Sequence, residues 1–256
     1  MNILEQIVQA TRVRVDRDKK DGLPPQCAKR RTPFLFERSL RKEDIAFLCE
    51  VKKASPSKGL IAGQFPYIEI AREYEAAGAA AISVLTEPDY FQGSDRYLSE
   101  IREAVELPLL RKDFVIDSFQ IEQAARLGAD AILLICAVLS PPQLKDYLAA
   151  ADGLGLSCLV EAHNEAELHT ALDANARVVG VNNRNLKTFQ VDMQNSIRLR
   201  ELAPDHIVFV SESGVRTAED VTLLRQHRID AVLIGETLMR SSDKAAALAE
   251  LRGGRT

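Results

Sequence analysis

The chain has 256 residues, of which 46% are hydrophobic and 27% are charged, and its formal net charge is −4. This length suits two small domains or one large α/β barrel. The acidic balance argues against nucleic acid as the main partner, because phosphate backbones bind basic surfaces. No apolar run approaches the roughly 20 residues that span a bilayer, so we expect no membrane partner either.

The N-terminus and the cysteines both predict a cytoplasmic protein. The first residues, MNILEQIVQATR, lack the basic segment, apolar segment and cleavage site of a secretory signal. Four cysteines are widely separated, and we predict that three of them lie inside apolar strands: Cys49, Cys136 and Cys158. There is no CxxC pair and no metal-ligand spacing, so the sequence predicts reduced core cysteines and no metal site.

Residues 1–45 do not share the pattern of the rest of the chain. Asn2 and Glu5 have the spacing of a capping box, so an amphipathic helix is predicted from there, weakening in the charged residues 14–21. Residues 33–41 predict a second, short helix. We expect this extension to pack against the main body or another subunit, and a direct role in the functional site is the second possibility.

From residue 46 the chain alternates apolar strands with helical patterns. Strands are predicted to begin near residues 46, 80, 107, 131, 157, 177, 207 and 231. The mean spacing of about 26 residues fits one strand, one helix and two short loops. Helices are predicted over residues 67–77, 95–105, 118–127, 141–151, 165–173, 193–202, 217–225 and 243–251.

Eight strand–helix units in about 210 residues predict an α/β fold, a closed (β/α)8 TIM barrel. We expect one domain over residues 1–256, with residues 1–45 as an N-terminal helical extension and residues 46–256 as the barrel. An open, doubly wound sheet is the alternative, but it usually carries GxGxxG after its first strand. That motif is absent here.

Polar residues arrive at the C-terminal ends of the predicted strands. Charged or amide residues follow the apolar runs of at least six strands, among them Glu50, Lys112, Glu161 and Asn182. In a parallel barrel these ends open at one mouth, which is where the active sites of this fold lie. The predicted functional site is therefore at that mouth.

Lys112, after the third predicted strand, is the main candidate for chemistry. It could be a phosphate clamp, a Schiff-base nucleophile, a general acid or an exposed charge. Among carboxylates such as Glu50 and Glu161, an ammonium stays protonated and can donate a proton, and a glutamate can accept one. A structural ring of ion pairs around the barrel rim is the alternative.

Glycines after the last two strands predict a phosphate site. The loops of Ser213, Gly214 and Gly235 occupy the positions of the usual phosphate cradle of this fold, although tight turns alone would also explain these glycines. For Glu236 we expect the backbone N–H to contribute, while the carboxylate points away from the phosphate.

Other residues near the strand ends predict the rest of the ligand. Lys52, Lys53 and Lys58 add positive charge at the mouth of an acidic protein, which favours a small anionic ligand. A slot for a flat ring is predicted from apolar side chains, each of which core packing would also explain: Phe91, Phe114, Leu133, Leu159 and Leu186.

Six segments that carry these residues closely resemble those of the indole-3-glycerol phosphate synthase family. They are residues 50–59 (EVKKASPSKG), 85–94 (LTEPDYFQGS), 110–114 (LRKDF), 159–161 (LVE), 180–186 (GVNNRNL) and 211–215 (SESGV). SPSKG, LLRKDF and NNRNL in this order are highly specific. The similarity extends from Met1 to about Met239 and includes the N-terminal helical extension typical of that family.

The resemblance implies a carboxy-lyase of tryptophan biosynthesis that needs no metal or organic cofactor. Its substrate would be 1-(2-carboxyphenylamino)-1-deoxyribulose 5-phosphate, closed to an indole with loss of carbon dioxide and water. By motif, Lys112 is the general acid that protonates the ketone oxygen, and Glu161 is the general base of the dehydration. Lys52 binds the substrate carboxylate or acts as an acid in the dehydration, and Glu50 orients Lys112 and the amine.

The same resemblance implies further substrate contacts: Asn182 and Arg184 at the hydroxyls and carboxylate region, Ser55 near the entrance, and Ser213, Gly214 and Gly235 at the phosphate. Some family members carry serine at the position of Glu236, so the resemblance carries over no phosphate contact of its side chain. Monomer and homo-oligomer both fit the sequence.

Three other functions fit parts of the pattern. A Schiff-base lyase or aldolase would use Lys112 as a nucleophile, and a non-catalytic barrel would only bind a phosphorylated ligand. A phosphoribosylanthranilate isomerase would use a cysteine and an aspartate, and we expect no cysteine at the C-terminal end of a strand. Some relatives are fused to that isomerase; because this sequence stops at Thr256, we expect no second domain.

Overall fold

The computed structural model describes residues 1–29, 32–185 and 188–253 of the chain. The strands are β1 Ala46–Val51, β2 Ala54–Ser55, β3 Gly59–Leu60, β4 Ala81–Leu85, β5 Leu109–Lys112, β6 Ala131–Ile135, β7 Ser157–Ala162, β8 Val178–Asn182, β9 Val208–Glu212 and β10 Ala231–Ile234. Eight of them close in the order β1-β10-β9-β8-β7-β6-β5-β4, with every neighbouring pair parallel, which confirms the predicted barrel. The short β2 and β3 pair antiparallel in the loop that follows β1.

The helices of the described residues are α1 Ile3–Asp21, α2 Leu35–Ser39, α3 Tyr67–Ala76, α4 Pro88–Phe91, α5 Asp95–Ala104, α6 Phe119–Arg126, α7 Pro141–Gly153, α8 Glu165–Asp173, α9 Gln194–Arg200, α10 Ala218–Gln226, α11 Glu236–Arg240 and α12 Lys244–Leu251. Each helix predicted from the sequence is present. The sequence did not predict α4, α11 or the β2–β3 hairpin, because such short elements hold too few residues to show a period. None of the described helices is long and apolar enough to cross a membrane.

Side chains alternate between the two faces of each barrel strand, and this alternation positions the site. Leu48, Leu110 and Leu159 belong to the apolar cluster inside the barrel. Each of them lies two residues before a charged residue at the mouth: Glu50, Lys112 and Glu161. The periodicity that fills the barrel interior therefore also directs these charges to the interior at its C-terminal end.

Arg111 shows the opposite result of the same alternation, because it lies on the outer face of β5. Its guanidinium is buried, where it contacts Asp95 at 2.8 Å and donates hydrogen bonds to the Gln123 side chain at 2.8 Å and the Gln120 carbonyl at 3.1 Å. Arg111 thus ties β5 to the helix layer outside the barrel and takes no part in the mouth.

We expect Arg111→Met to lower the free energy of unfolding by about 3–5 kcal/mol, because it leaves buried partners of a charged network unpaired. Urea denaturation would measure the loss. The matched control is Arg198→Met, since Arg198 pairs with Asp192 on the surface and exposed pairs contribute only about 0–1 kcal/mol. Equal losses in the two variants would contradict this account of Arg111.

The N-terminal helix α1 begins with the predicted capping box of Asn2 and Glu5. It continues through the charged residues, where the pattern weakened, because the barrel supplies partners for that part of the helix. Arg14 forms a 2.6 Å ion pair with Asp113, directly after β5, and Lys19 forms another with Asp117, also at 2.6 Å. These contacts hold α1 against the C-terminal end of the barrel.

Candidate active site

A cavity of about 530 Å³ opens at the C-terminal ends of the barrel strands. The predicted site residues that line it are Glu50, Lys52, Ser55, Phe91, Lys112, Phe114, Leu133, Glu161, Asn182, Arg184, Ser213, Gly214, Gly235 and Glu236. Leu159 is fully buried in the barrel interior and is not among the lining residues. Leu186 lies outside the described residues.

The N-terminal extension forms part of the cavity wall. Ile3, Leu4 and Ile7 of α1 all line it. The extension therefore packs against the barrel, as expected, and also takes the direct part in the site that was the second possibility. This part of the wall could not be predicted, because an apolar stripe on a helix does not reveal which surface it covers.

Lys112 lies between two carboxylates at the end of β5. Its Nζ atom is 2.6 Å from Oε2 of Glu212 and 3.4 Å from Oε2 of Glu161. Desolvation by burial disfavours the charged form, but the charges of Glu212 and Glu161 outweigh it and raise the pKa of Lys112 above its ordinary value. The amine is thus held as an ammonium, which can donate a proton but cannot attack a carbonyl.

Glu212 is a site residue that the sequence analysis did not select, although it follows an apolar strand just as Glu161 does. Burial raises its pKa, and the nearby carboxylate of Glu161 raises it further, against the opposing charge of Lys112. Gly180 on the adjacent β8 makes room for it, because a Cβ there would overlap Oε1 of Glu212. Glu212 is therefore the direct partner of Lys112. Its position depends on packing between neighbouring strands, which the sequence alone does not show.

Glu161 at the end of β7 is held ionised. Burial alone would raise its pKa, but the Lys112 charge and the neighbouring His163 imidazole lower it below the ordinary carboxyl value. Oε2 is the oxygen on the Lys112 side. An ionised carboxylate beside a protonated amine supplies one proton acceptor and one proton donor in the same cavity.

Glu50 and Lys52 form an ion pair at the end of β1. Gly235, after β10, permits the close approach of both, because a Cβ at that position would overlap Oε2 of Glu50 and lie 2.9 Å from Nζ of Lys52. Lys52 lines the cavity and the adjacent Lys53 does not. The cation available to a ligand on this side is therefore Lys52.

Three charged residues lie close together beside the loops after β9 and β10: Glu236, Lys58 and Arg240. The Glu236 carboxylate lies 3.6 Å from Lys58 and 3.2 Å from Arg240. Burial raises its pKa, but these cations outweigh that effect and lower it. Glu236 lines the cavity and its carboxylate pairs with these two cations, and the expectation that its side chain points away from the phosphate stays a prediction.

Phe91 and Phe114 lie on the cavity wall with ring centroids 6.2 Å apart and an interplanar angle of 38°. Leu133 also lines the cavity. Apolar walls of this kind suit a flat ring, and the charged groups described above suit the anionic ends of a ligand.

The prediction that no cysteine lies at the C-terminal end of a strand is wrong. Cys136 directly follows β6, whose last residue is Ile135, because the apolar run of the sequence continues past the end of the strand to Leu139. Cys136 is not among the cavity-lining residues, and burial with nearby carboxylates raises the pKa of its thiol to about 12. Within residues 1–29, 32–185 and 188–253, no three or more His, Cys, Asp and Glu side chains are arranged to hold a metal ion.

Comparison with known sequences agrees with this geometry. A family model described as "Indole-3-glycerol phosphate synthase" matches residues 4–251. A protein of that name from Ruminiclostridium cellulolyticum is 58% identical over 257 residues, which cover 98% of this chain and 99% of that protein. Another from Endomicrobium trichonymphae is 55% identical over 256 residues, covering 98% and 99%.

Solved structures resemble the barrel at low sequence identity. The 3-hexulose-6-phosphate synthase of Salmonella typhimurium has a TM-score of 0.67 at 13% identity, covering 82% of this chain and 97% of that one. The thiamine phosphate pyrophosphorylase of Pyrococcus furiosus has a TM-score of 0.61 at 16% identity, covering 85% and 96%. At such identities the likeness shows the fold alone.

Proposed function

This chain belongs to the indole-3-glycerol phosphate synthase family, and from that premise we propose how its cavity carries out the family's reaction. It is a lyase of tryptophan biosynthesis that acts on a phosphorylated substrate. The reaction converts 1-(2-carboxyphenylamino)-1-deoxyribulose 5-phosphate to indole-3-glycerol phosphate by ring closure, with loss of carbon dioxide and water. Each bond change requires a particular group at the mouth of the barrel.

In the first step, Lys112 is the general acid. The ring carbon that carries the carboxylate attacks the ketone, and negative charge develops on the ketone oxygen. An ammonium stabilises that charge and then protonates the oxygen to a hydroxyl. The observation that carries this role is the position of Lys112 between Glu212 and Glu161 on the cavity wall, which keeps the amine protonated. The same protonation argues against a Schiff base, which needs a neutral amine.

In the later steps, loss of carbon dioxide restores the aromatic ring, and loss of the new hydroxyl as water completes the indole. Glu161 is the general base that removes a proton during this dehydration. Its ionised state and the direction of Oε2 into the site support the assignment. Asn182 and Arg184, which also line the cavity, hold the substrate hydroxyls and the carboxylate region.

The substrate phosphate is bound by the loops after β9 and β10. Ser213, Gly214 and Gly235 line this part of the cavity, and in this proposal their backbone N–H groups donate to the phosphate. Lys58 and Arg240 lie beside them, at the Glu236 carboxylate. The aromatic ring of the substrate lies against Phe91 and Phe114, with Leu133 nearby and Ser55 at the entrance. The catalytic steps use side chains alone, without a metal or an organic cofactor.

Indole fluorescence tests the reaction directly. The purified protein is mixed with 1-(2-carboxyphenylamino)-1-deoxyribulose 5-phosphate in metal-free buffer that contains a chelator. Because the chain contains no tryptophan, the protein adds no indole emission of its own. We expect a rising indole signal. A folded protein that gives no signal would overturn the cofactor-free mechanism, and borohydride trapping of a lysine adduct would then support the Schiff-base alternative.

We propose that Lys52 binds the substrate carboxylate. We expect Lys52→Ala to raise KM about 10- to 100-fold, because the substrate then loses one charge-assisted hydrogen bond. Steady-state indole formation measures both constants. Lys53→Ala is the matched control, since it removes the neighbouring charge outside the cavity lining and should leave both constants near the wild-type values. A large fall in kcat at unchanged KM would instead indicate that Lys52 is an acid in the dehydration.

A further inference from the structure

His163 directly follows β7 and lies behind Glu161, away from the cavity. Its Nε2 atom is 3.3 Å from Oε1 of Glu161, and its Nδ1 atom is 3.0 Å from Oε2 of Glu167 in α8. The imidazole side chain is only 15% exposed. His163 therefore links the buried carboxylate of Glu161 to a second carboxylate at the surface of the barrel.

The two oxygens of Glu161 have different neighbours as a result. Oε1 faces His163, whereas Oε2 faces Lys112 at 3.4 Å. Nε2 is buried and has no hydrogen bond within the described residues, so the charge contact with Oε1 is its polar interaction on that side. We propose that His163 is a positioning residue for Glu161, whose imidazolium holds Oε1 and leaves Oε2 to accept the proton from the substrate. This inference rests on the proposed role of Glu161 as general base.

The side chains around His163 are arranged to fix the imidazole in this orientation. Glu167 accepts hydrogen bonds from both the backbone N–H of His163, at 2.9 Å, and the side chain of Asn164, at 2.8 Å. Asn195 of α9 donates to the His163 carbonyl at 3.0 Å. Glu167 is thus held in place by neighbours on its own turn, and it orients Nδ1 as a donor.

The charges that face this pair favour an imidazolium. Glu161 lies on one side and Glu167 on the other, and Cys136, after β6, has a thiol that stays protonated and neutral. Burial lowers the pKa of His163, but the charges of the two glutamates and the hydrogen bond to Glu167 outweigh burial and raise it to about 10. On the cavity side Glu161 meets Lys112 and also Asn182. A cation therefore lies at each oxygen of Glu161.

Removing the His163 charge should change the pH dependence in a defined direction. A cationic neighbour lowers the pKa of a carboxyl group, so its loss raises the pKa of Glu161 toward the ordinary value. More of the base is then protonated at low pH, and the acidic limb of the rate profile moves to higher pH. KM should remain near the wild-type value, because His163 is not among the cavity-lining residues.

The test compares His163→Gln with His169→Gln, a matched change at an exposed histidine of the same helix region. The rate of indole formation is measured in single turnover between acidic and neutral pH. We expect His163→Gln to slow this step roughly 10- to 100-fold, as misplacement of a catalytic group does, and to shift the acidic limb upward. His169→Gln should match the wild type. Glu167→Gln releases Nδ1 but leaves the imidazolium charged at acidic pH, so it should slow the step by a smaller factor and leave the acidic limb near its wild-type position.

Glu161→Gln in the same assay separates the two possible failures. A wild-type rate in Glu161→Gln would overturn the role of Glu161 and this inference with it. A slow Glu161→Gln together with wild-type rates in His163→Gln and Glu167→Gln, and an unmoved acidic limb in His163→Gln, would overturn the inference alone. If His163→Gln does not fold, the single-turnover rate of Glu167→Gln decides the question, and a wild-type rate there would overturn the inference.

Discussion

Lys112→Ala should lower kcat on the order of 10²- to 10⁴-fold, the contribution of a positioned general acid, with a smaller change in KM. The methyl group can neither stabilise nor protonate the ketone oxygen while the ring carbon attacks. Because ring closure precedes both losses, release of carbon dioxide and indole fluorescence should fall together. Measuring both products on the same sample tests the order of events as well as the residue.

A surface lysine provides the control for Lys112. Lys145 in α7 is exposed, so Lys145→Ala removes the same charge from the chain without touching the cavity and should keep the wild-type kcat. Near-normal kcat in Lys112→Ala would contradict the role of Lys112 as general acid. Carbon dioxide release that persists without indole formation would move Lys112 to the dehydration step instead.

The barrel could be predicted from the sequence because the pattern that specifies each strand and helix is local and recurs along the chain. Each apolar run gives one strand, each helical pattern gives one helix, and the eightfold recurrence leaves a closed parallel barrel as the arrangement that buries them all. The elements that were missed, α4, α11 and the β2–β3 hairpin, are too short to show a period. These elements depend on local contacts within loops. At the start of α4, for example, the Glu87 carboxylate accepts hydrogen bonds from three backbone N–H groups.

The site was predictable to the extent that the strand position fixes the direction of a side chain. Lys112 and Glu161 end strands on the inward face, so both reach the cavity, whereas Arg111 has the same polar character and faces the helices. Leu110 and Leu159, two residues before Lys112 and Glu161, are buried inside the barrel. Alternation along each strand therefore indicates which charged residues face inward. It could have been applied to Glu212 as well, which lies two residues after the buried Val210.

The remaining features depend on contacts between distant parts of the chain. The wall formed by α1 requires the ion pair of Arg14 with Asp113, which are 99 positions apart. The sequence has no local signal for such a pair. The position of His163 behind Glu161 depends on where Glu167 and Asn195 meet it from two different helices. Cys136 was misassigned because hydrophobicity alone does not mark the last residue of a strand.

Glu161→Gln should slow indole formation on the order of 10²- to 10⁴-fold while carbon dioxide is still released in the first turnover. The amide keeps the size of the side chain and loses the ability to accept a proton, so Lys112 can still promote ring closure and the reaction stalls before water is lost. Rapid mixing with excess enzyme, followed by both products, would separate the two steps. Glu165→Gln, a change at an exposed glutamate of α8, is the control and should match the wild type. An unchanged indole rate in Glu161→Gln would exclude Glu161 as the base, and loss of both products together would move its role to ring closure.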